Sequence, residues 1–277
     1  MKDTQQKVTA ASLIIALGII YGDIGTSPLY TFKAIIGPRP ITEMLVLGGV
    51  SCVCWSLMLQ TTVKYVWLTL KADNEGEGGI FSLYSLVRKY GKKLIIPTMV
   101  GASALLADGI ITPAVTVTSA VEGLKMVDGL GHLSPVPLVV VIVSILFFFQ
   151  RFGSEKVGKA FGPLMVLWFT FLLVLGLHHI LKYPDVIKAL NPYYAYELLA
   201  HYPQGFWLLG AVFLCTTGAE ALYSDLGHCG RQNIHLTWIF VKLCLVANYL
   251  GQAAWLLHQG QNALGDRNPF FEMMPEW

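Results

Sequence analysis

The ten residues from Tyr21 to Tyr30, Tyr-Gly-Asp-Ile-Gly-Thr-Ser-Pro-Leu-Tyr, are the part of this chain best suited to chemistry. They interrupt an apolar run that begins near Thr9 and ends near Ile36. An unpaired aspartate such as Asp23 inside a membrane span costs about 3 kcal/mol or more. A broken backbone there is tolerated only where its polar groups line a cavity or are buried in protein. The two costs together indicate an ion site at this break.

Two further acidic residues stand in comparable surroundings. Asp108 precedes Thr112 by four residues, so that both side-chain oxygens face one side of a helix. Glu220 follows Thr217 by three residues, and the same argument places this pair on one helical face. Gly218, between them, favours an unwound point. Interrupted spans at corresponding places in two halves of a chain indicate a transporter site.

The candidate ligands are all hard oxygens from carboxylates, hydroxyls, a phenol or backbone carbonyls, which suit alkali and alkaline-earth cations. Carboxylates in a low-dielectric site also take up protons. One site could therefore bind a metal cation and a proton, as cation–proton symport requires. We expect Ser27 to cap the second half-helix, with Pro28 in its first turn. Tyr30, seven residues after Asp23, then faces the same cavity if that half-helix is regular.

Simpler interpretations of the same residues remain open. The glycines and Pro28 could only kink a helix, and Asp108 could serve helix packing. Thr112 and Thr217 could hold helices together by hydrogen bonds, as threonines often do in membranes. Lys64 or Lys242 could neutralise a buried acid. The other charged or titratable candidates are interpreted as interfacial: Glu122, Asp225, His178, His179 and His228.

The composition predicts an all-α polytopic membrane protein. Hydrophobic residues make up 55% of the chain and charged residues 13%, about half the share usual in soluble domains. Apolar runs of about 20 residues recur along the whole chain. The seven predicted spans are Thr9–Ile36, Thr42–Leu70, Leu94–Val127, Leu133–Phe152, Gly158–Leu181, Gly205–Leu226 and Ile234–Leu257. The first lacks a signal-peptide cleavage pattern.

The basic residues favour a cytoplasmic N-terminus. With alternating spans, the predicted inside residues are Lys2, Lys7, Lys71, Arg88, Lys89, Lys92, Lys93, Arg151, Lys156, Lys159 and Arg231. Only Arg39, Lys182, Lys188 and Arg267 fall outside, with Lys125 at a border. This is the positive-inside distribution. The inside loop after Lys71 predicts a short interfacial helix over Ile80–Val87, and the Pro- and Tyr-rich segment Tyr183–Pro203 is expected at headgroup level outside.

The chain resembles the Kup/HAK/KT family of potassium transporters. The resemblance is carried by Gly22–Tyr30, by Gly76–Gly79 (Gly-Glu-Gly-Gly), by Ile111–Ala114 with Ser119–Gly123, and by Glu220–His228, in that order. It implies the amino acid–polyamine–cation superfamily fold, built from two inverted five-helix repeats with broken helices 1 and 6. It also implies potassium uptake coupled to proton entry across the cell membrane, with no cofactor.

By motif position, the resemblance implies a cation and proton-coupling site of Asp23, Tyr30, Asp108, Thr112, Thr217 and Glu220, with potassium at the three acids. Asp108 stands where some members of the family carry glutamate. Its shorter side chain moves the carboxylate relative to the ion.

The resemblance also bears on how much of a transporter is present. Family members carry about twelve spans and a soluble C-terminal cytoplasmic region. The chain, a single transmembrane domain over 1–277, then holds a first repeat over about 9–181 and the start of a second over about 205–258. We therefore expect a truncated part without transport activity of its own, from a protein that is a homodimer at full length.

Three other functions are weighed against potassium uptake. An amino-acid or other cation carrier could share the fold, although three acids fit a cation better than a zwitterion. An intramembrane aspartyl protease would need two aspartates sharing a proton, and leaves the break and the third acid unexplained. A potassium channel would need a Thr-Val-Gly-Tyr-Gly filter, which the sequence lacks. We expect neither an enzyme nor a nucleic-acid-binding protein.

Overall fold

The structure, a computed structural model, describes residues 7–126, 134–150, 154–259 and 263–275. Its α-helices in these ranges are α1 (Ala10–Ile20), α2 (Gly22–Thr26), α3 (Thr31–Ile36), α4 (Glu43–Ser56), α5 (Gly79–Val87), α6 (Ile95–Glu122), α7 (Pro135–Gln150), α8 (Ser154–Lys182), α9 (Pro192–His201), α10 (Gly205–Phe213), α11 (Ala221–Ser224), α12 (Leu226–Cys229), α13 (Arg231–His258) and α14 (Pro269–Glu272). A π-helix, Leu57–Leu68, continues α4, and short 3-10 turns join several of the other helices. The all-helical prediction is confirmed for these residues.

Five helical stretches of the described chain are long and apolar enough to cross a membrane: Glu43–Lys71, Lys92–Glu122, Phe161–Lys182, Gly205–Ser224 and Arg231–His258. A sixth results if Ala10–Ile20 and Gly22–Leu29 count as one bent span. The fourth predicted span contains only the shorter apolar helix Pro135–Phe148. Its predicted ends, and Val127 at the end of the third, lie outside the described residues, as do Lys2 and Arg151. The count of seven, the repeat boundaries and the cytoplasmic N-terminus remain predictions.

Contacts divide the chain into two compact units. The first unit comprises Met1–Asp23, Thr62–Val166 and Gly218–Ile239. The second comprises Ile24–Thr61, Leu167–Thr217 and Phe240–Trp277. The chain passes from one unit to the other at five points. Two of these points lie directly after Asp23 and directly after Thr217, at the two breaks that the sequence predicts.

The first unit is held together where α1 meets the start of α13. The Tyr21 hydroxyl donates to the Ile234 carbonyl at 3.2 Å and lies 2.9 Å from the Thr237 hydroxyl. The Tyr21 ring stacks on Trp238, with ring centroids 6.4 Å apart. Trp238 in turn donates its indole N–H to the Thr62 hydroxyl at 3.0 Å. The buried phenol therefore fixes the end of α1 just before the first break.

In the second unit, helices approach closely at glycines. A Cβ at Gly48 of α4 would lie 2.5 Å from Leu198 Cβ of α9, so that this glycine lets the two helices pack. The sequence predicts the segment around Leu198 only as an outer loop, whereas the structure forms α9 there. Pro192 stands in the first turn of α9, and the Asn191 side chain caps it by accepting from the Tyr193 amide. Such capping and packing explain the helix.

We expect Gly176→Ala to destabilise the second unit. A Cβ at Gly176 of α8 would overlap the Ala247 backbone of α13, and Gly251 approaches the same point from α13. Backbone atoms cannot step aside like a flexible side chain, and overpacking of this kind costs about 1–3 kcal/mol. Thermal unfolding of the detergent-solubilised protein would measure the loss. Gly210→Ala is the matched control, because nothing lies within 4 Å of its Cβ position; an equal drop there would contradict the expectation.

Candidate functional site: an acid cluster beside a helix break

The first predicted break is present, one turn earlier than the sequence indicates. α1 ends at Ile20 with Tyr21 as its C-cap, and the chain bends by 71° between Ala10–Ile20 and Gly22–Leu29. Asp23 therefore lies in the first turn of α2. This exposed acid stands directly after the bend.

Ser27 does not cap a half-helix, so that part of the prediction is wrong. Ser27, Pro28 and Leu29 form a 3-10 turn whose N-cap is Thr26, without a side-chain cap hydrogen bond. Pro28 does occupy the first turn, as expected. The helix resumes only at Thr31. The second half of the predicted span thus contains a turn of its own, because α2 has already begun at Gly22.

The break in the sixth predicted span falls between Thr217 and Gly218. The 3-10 turn Leu214–Thr216 ends there, Thr217 is extended with φ −56° and ψ 132°, and Gly218 has φ 85°. Backbone hydrogen bonding of the helical kind starts again from Ala221 to the Gly218 carbonyl. A positive φ suits glycine because it has no Cβ. Thr217 and Glu220 therefore do not share a helical face, and that expectation is wrong.

The third predicted span supplies an aspartate with a hydroxyl partner. α6 runs without interruption from Ile95 to Glu122, and Pro113 lies inside it. The Thr112 hydroxyl donates to Asp108 Oδ1 at 2.8 Å, which confirms that the two oxygens face the same side. Thr112 is buried and Asp108 is part-buried. This bond leaves the remaining lone pairs of the Asp108 carboxylate for other partners.

The first unit brings the three predicted acids together. The carboxyl group of Glu220 comes within hydrogen-bonding reach of the Asp108 side chain. Asp23 is near enough to both for their charges to interact. Two carboxyl groups form a hydrogen bond only when a proton lies between them. The Asp108–Glu220 pair is therefore the candidate place for a proton in this cluster.

Sequence reasoning missed Tyr65, whose phenol is close enough to interact electrostatically with Glu220. Tyr65 lies in the π-helix Leu57–Leu68, and the ammonium group of the neighbouring Lys64 is 4.8 Å from the centroid of the Tyr65 ring. A phenol in an apolar span was the available signal. The structure of its own unit does not support Lys242 as the residue that neutralises a buried acid. There, the Lys242 ammonium lies 3.0 Å from the Met58 sulfur.

The remaining two predicted site residues belong to the second unit. The Tyr30 hydroxyl lies 3.3 Å from the Ser27 hydroxyl, and Thr217 ends the unit at the second break. Of the six predicted residues, the structure thus groups Asp23, Asp108, Thr112 and Glu220 within one unit. Among the described residues, no three acidic, histidine or cysteine side chains are arranged to hold a metal ion between them. Potassium at the three acids remains a prediction.

Comparisons with known proteins agree with the motifs. The family model described as "K+ potassium transporter integral membrane domain" matches residues 10–277. The chain is 58% identical to a "Probable potassium transport system protein Kup" of Cytophaga hutchinsonii, over 98% of the chain and 42% of that protein. Proteins with the same description in Flavobacterium johnsoniae and Enterococcus faecalis are 56% and 54% identical, each over 43% of its own length. No solved structure matches.

These matches cover nearly the whole chain, although the chain spans less than half the length of the relatives. Relatives described as transport proteins also agree with the expectation of a protein that is not an enzyme. Because the family model matches residues 10–277, the chain belongs to the K+ potassium transporter family.

Proposed function

We propose that the chain is the cation-binding part of a secondary transporter that takes up potassium together with protons across the cell membrane. The observation that carries this proposal is the contact between the Asp108 and Glu220 carboxyl groups, with Asp23 nearby at the first helix break. The family resemblance adds Tyr30, Thr112 and Thr217 to the site. The relatives' description as potassium transport proteins supplies the ion.

Coupling follows if the proton and the potassium ion bind to the cluster together. With a proton on the Asp108–Glu220 pair, the cluster carries two negative charges instead of three and repels itself less. A potassium ion held near Asp23 replaces part of that repulsion with attraction. One proton and one potassium ion together reduce the charge of the three acids from −3 to −1, which lowers the cost of enclosing the cluster in a low-dielectric interior.

A carrier for amino acids or another cation is the alternative within the same fold. The carboxylate of a zwitterion would be repelled by Asp23, Asp108 and Glu220 unless free helix N-termini faced it. Nothing in the described residues favours that case over a bare cation. Competition of the tracer with amino acids or sodium would reveal such a carrier.

We also propose that the remainder of the longer relatives is needed to complete the site. The most apolar 18-residue window of Lys92–Glu122, the stretch that carries Asp108, includes no residue that is buried. In the longer relatives, further helices could cover this surface. A multi-pass protein in the cell membrane with its N-terminus in the cytoplasm, dimeric at full length, is the arrangement we propose.

Rubidium uptake, as a tracer for potassium, tests the function in cells without their own potassium uptake systems. Three forms are compared: the chain alone, a completed form in which the rest of the Cytophaga hutchinsonii relative follows it, and the completed form with Asp23→Asn. We expect uptake only by the completed form and background uptake by its Asp23→Asn variant, because the amide lacks the charge that attracts the ion.

Absence of uptake by a folded, membrane-inserted completed form would contradict potassium transport. Uptake by the chain alone would contradict the need for the remaining helices. Unchanged uptake by the Asp23→Asn variant would remove Asp23 from the site. Folding and insertion are checked by size-exclusion chromatography of each form after solubilisation.

A further inference from the structure

Three polar residues are fully buried on one face of α13. Asn248, Tyr249 and Gln252 have no exposed surface. Their spacing of one, three and four residues places them on the same side of the helix. Burying such groups in a predicted span is unfavourable unless each finds a partner. Each finds one: Asn248 donates to the Leu172 carbonyl, and Tyr249 contacts the Thr31 hydroxyl. Gln252 donates to the Pro28 carbonyl, in the turn Ser27–Leu29 directly before Tyr30.

Gln252 has one amide orientation that fits its surroundings. Its Nε2 donates to the Pro28 carbonyl at 3.0 Å and to Asn248 Oδ1 at 2.9 Å. Asn248 uses its own Nδ2 to donate to the Leu172 carbonyl at 3.3 Å, so that its Oδ1 must be the atom facing Gln252. A flipped Gln252 would place its oxygen against two other oxygens. The two N–H groups of Gln252 are therefore both committed.

All three carbonyls of the Ser27–Leu29 turn accept a hydrogen bond from a side chain. Thr31 donates to the Ser27 carbonyl at 2.8 Å, Gln252 to the Pro28 carbonyl, and Asn268 to the Leu29 carbonyl at 2.7 Å. Tyr249 supports Thr31 with a hydroxyl contact of 3.4 Å. A 3-10 turn bonds poorly within itself. One neighbouring side chain, Thr31, and two from distant parts of the sequence, Gln252 and Asn268, therefore fix the shape of this turn.

We propose that Gln252 is a positioning residue for the cation site: it holds the Pro28 carbonyl and so sets where the Tyr30 hydroxyl stands. The inference rests on the proposed function, because only the family resemblance assigns Tyr30 to the cation. Pro28 and Tyr30 are two residues apart, and the Tyr30 hydroxyl lies 3.3 Å from Ser27 of the same turn. A shift of the turn therefore moves that hydroxyl.

Only the donor end of the Gln252 side chain has partners in the described part of the chain. Oε1 is buried and receives no hydrogen bond from the described residues. The donor end alone holds the turn, so a variant that loses the N–H groups should release it. Gln252→Met, of similar shape, and Gln252→Leu are two such variants. Gln252→Glu is unsuited to the test, because a buried carboxyl group takes up a proton and can still donate an O–H.

The experiment measures rubidium uptake by the completed form at several rubidium concentrations, with caesium as competitor. We expect both Gln252 variants to raise KM about tenfold and to change the preference for rubidium over caesium, since a buried hydrogen bond of ordinary strength is lost. Combining Gln252→Met with Tyr30→Phe should add little to the KM of Tyr30→Phe alone, because both act on the same hydroxyl.

Asn233→Leu is the matched control. Asn233 is a buried amide on the same helix that donates to the Cys229 carbonyl at 2.8 Å, in the other unit. It should lower the amount of folded transporter, and so Vmax, without changing KM or ion preference. The inference is overturned if the Gln252 variants also change only Vmax, or if their KM effect adds fully to that of Tyr30→Phe. Failure of the unsubstituted completed form to take up rubidium would instead overturn the proposed function.

Discussion

Replacing Glu220 with glutamine is expected to uncouple potassium uptake from the proton gradient while ion exchange continues. The glutamine amide can donate a hydrogen bond to Asp108 at all times, as protonated glutamate does, but it neither gains nor loses a proton. For one proton per ion, a gradient of one pH unit supports about tenfold accumulation. We expect Glu220→Gln to accumulate none in response to that gradient.

Sealed vesicles containing the completed form provide the measurement. Rubidium accumulation is followed with an alkaline interior, and rubidium exchange is followed at equal pH. Glu197→Gln is the matched control, because Glu197 is held by Tyr193 at 2.6 Å on α9 and lies in the other unit. Tenfold accumulation by Glu220→Gln would remove Glu220 from proton coupling, and loss of exchange as well would make it an ion ligand instead.

Local features of the sequence were sufficient to predict the surroundings of two acids, Asp23 beside a helix break and Asp108 on a regular helix. Gly22 and Asp23 inside an apolar run are unfavourable unless the backbone breaks, and the break is present. Asp108 and Thr112 obey the four-residue spacing because α6 is regular there. In both cases the decisive interaction lies within a few residues, so that spacing and residue type were sufficient.

The failures involve backbone geometry that residue type does not specify. Ser27 looked like a cap because a serine precedes Pro28, yet α2 starts five residues earlier and Thr26 takes the cap position. Thr217 and Glu220 looked like a helical pair, yet Gly218 adopts a positive φ and turns the chain between them. A glycine permits such a turn without requiring it.

Partners far away in the sequence were beyond the reach of spacing arguments. Asn248 and Gln252 interrupt an apolar run as ordinary polar residues, and nothing local indicates that Gln252 reaches Pro28. Tyr65 likewise lies near enough to Glu220 to interact electrostatically, although the two are more than half the chain apart in sequence. Only the packing of α13 and of the π-helix Leu57–Leu68 reveals these contacts, because hydrophobic burial sets which helices pack together but not which polar groups meet.

The loop Ala72–Gly79 packs tightly against the segment that carries Glu220. Tyr223 donates its hydroxyl to the Ala72 carbonyl at 2.6 Å, and Arg231 bonds Asp73 at 2.6 Å. A Cβ at Gly78 would overlap the Tyr223 carbonyl and lie 3.0 Å from Leu226 Cβ, while the Glu77 carboxylate fills the space beside Gly227. The Gly-Glu-Gly-Gly motif therefore has a steric purpose: its backbone lies directly against α11 and α12.

Gly78→Ala is accordingly expected to abolish rubidium uptake by the completed form and to lower its thermal stability. Gly78 is extended, with φ −111°, so that alanine suits its backbone and only the overlap with Tyr223 opposes it. The overlap is removed only if Tyr223 moves, and Glu220, three residues before it, then moves as well. Overpacking of this kind costs about 1–3 kcal/mol. Gly91→Ala is the matched control, since Gly91 is also extended and has nothing within 4 Å. Normal uptake and stability in Gly78→Ala would show that this contact does not hold Glu220 in place.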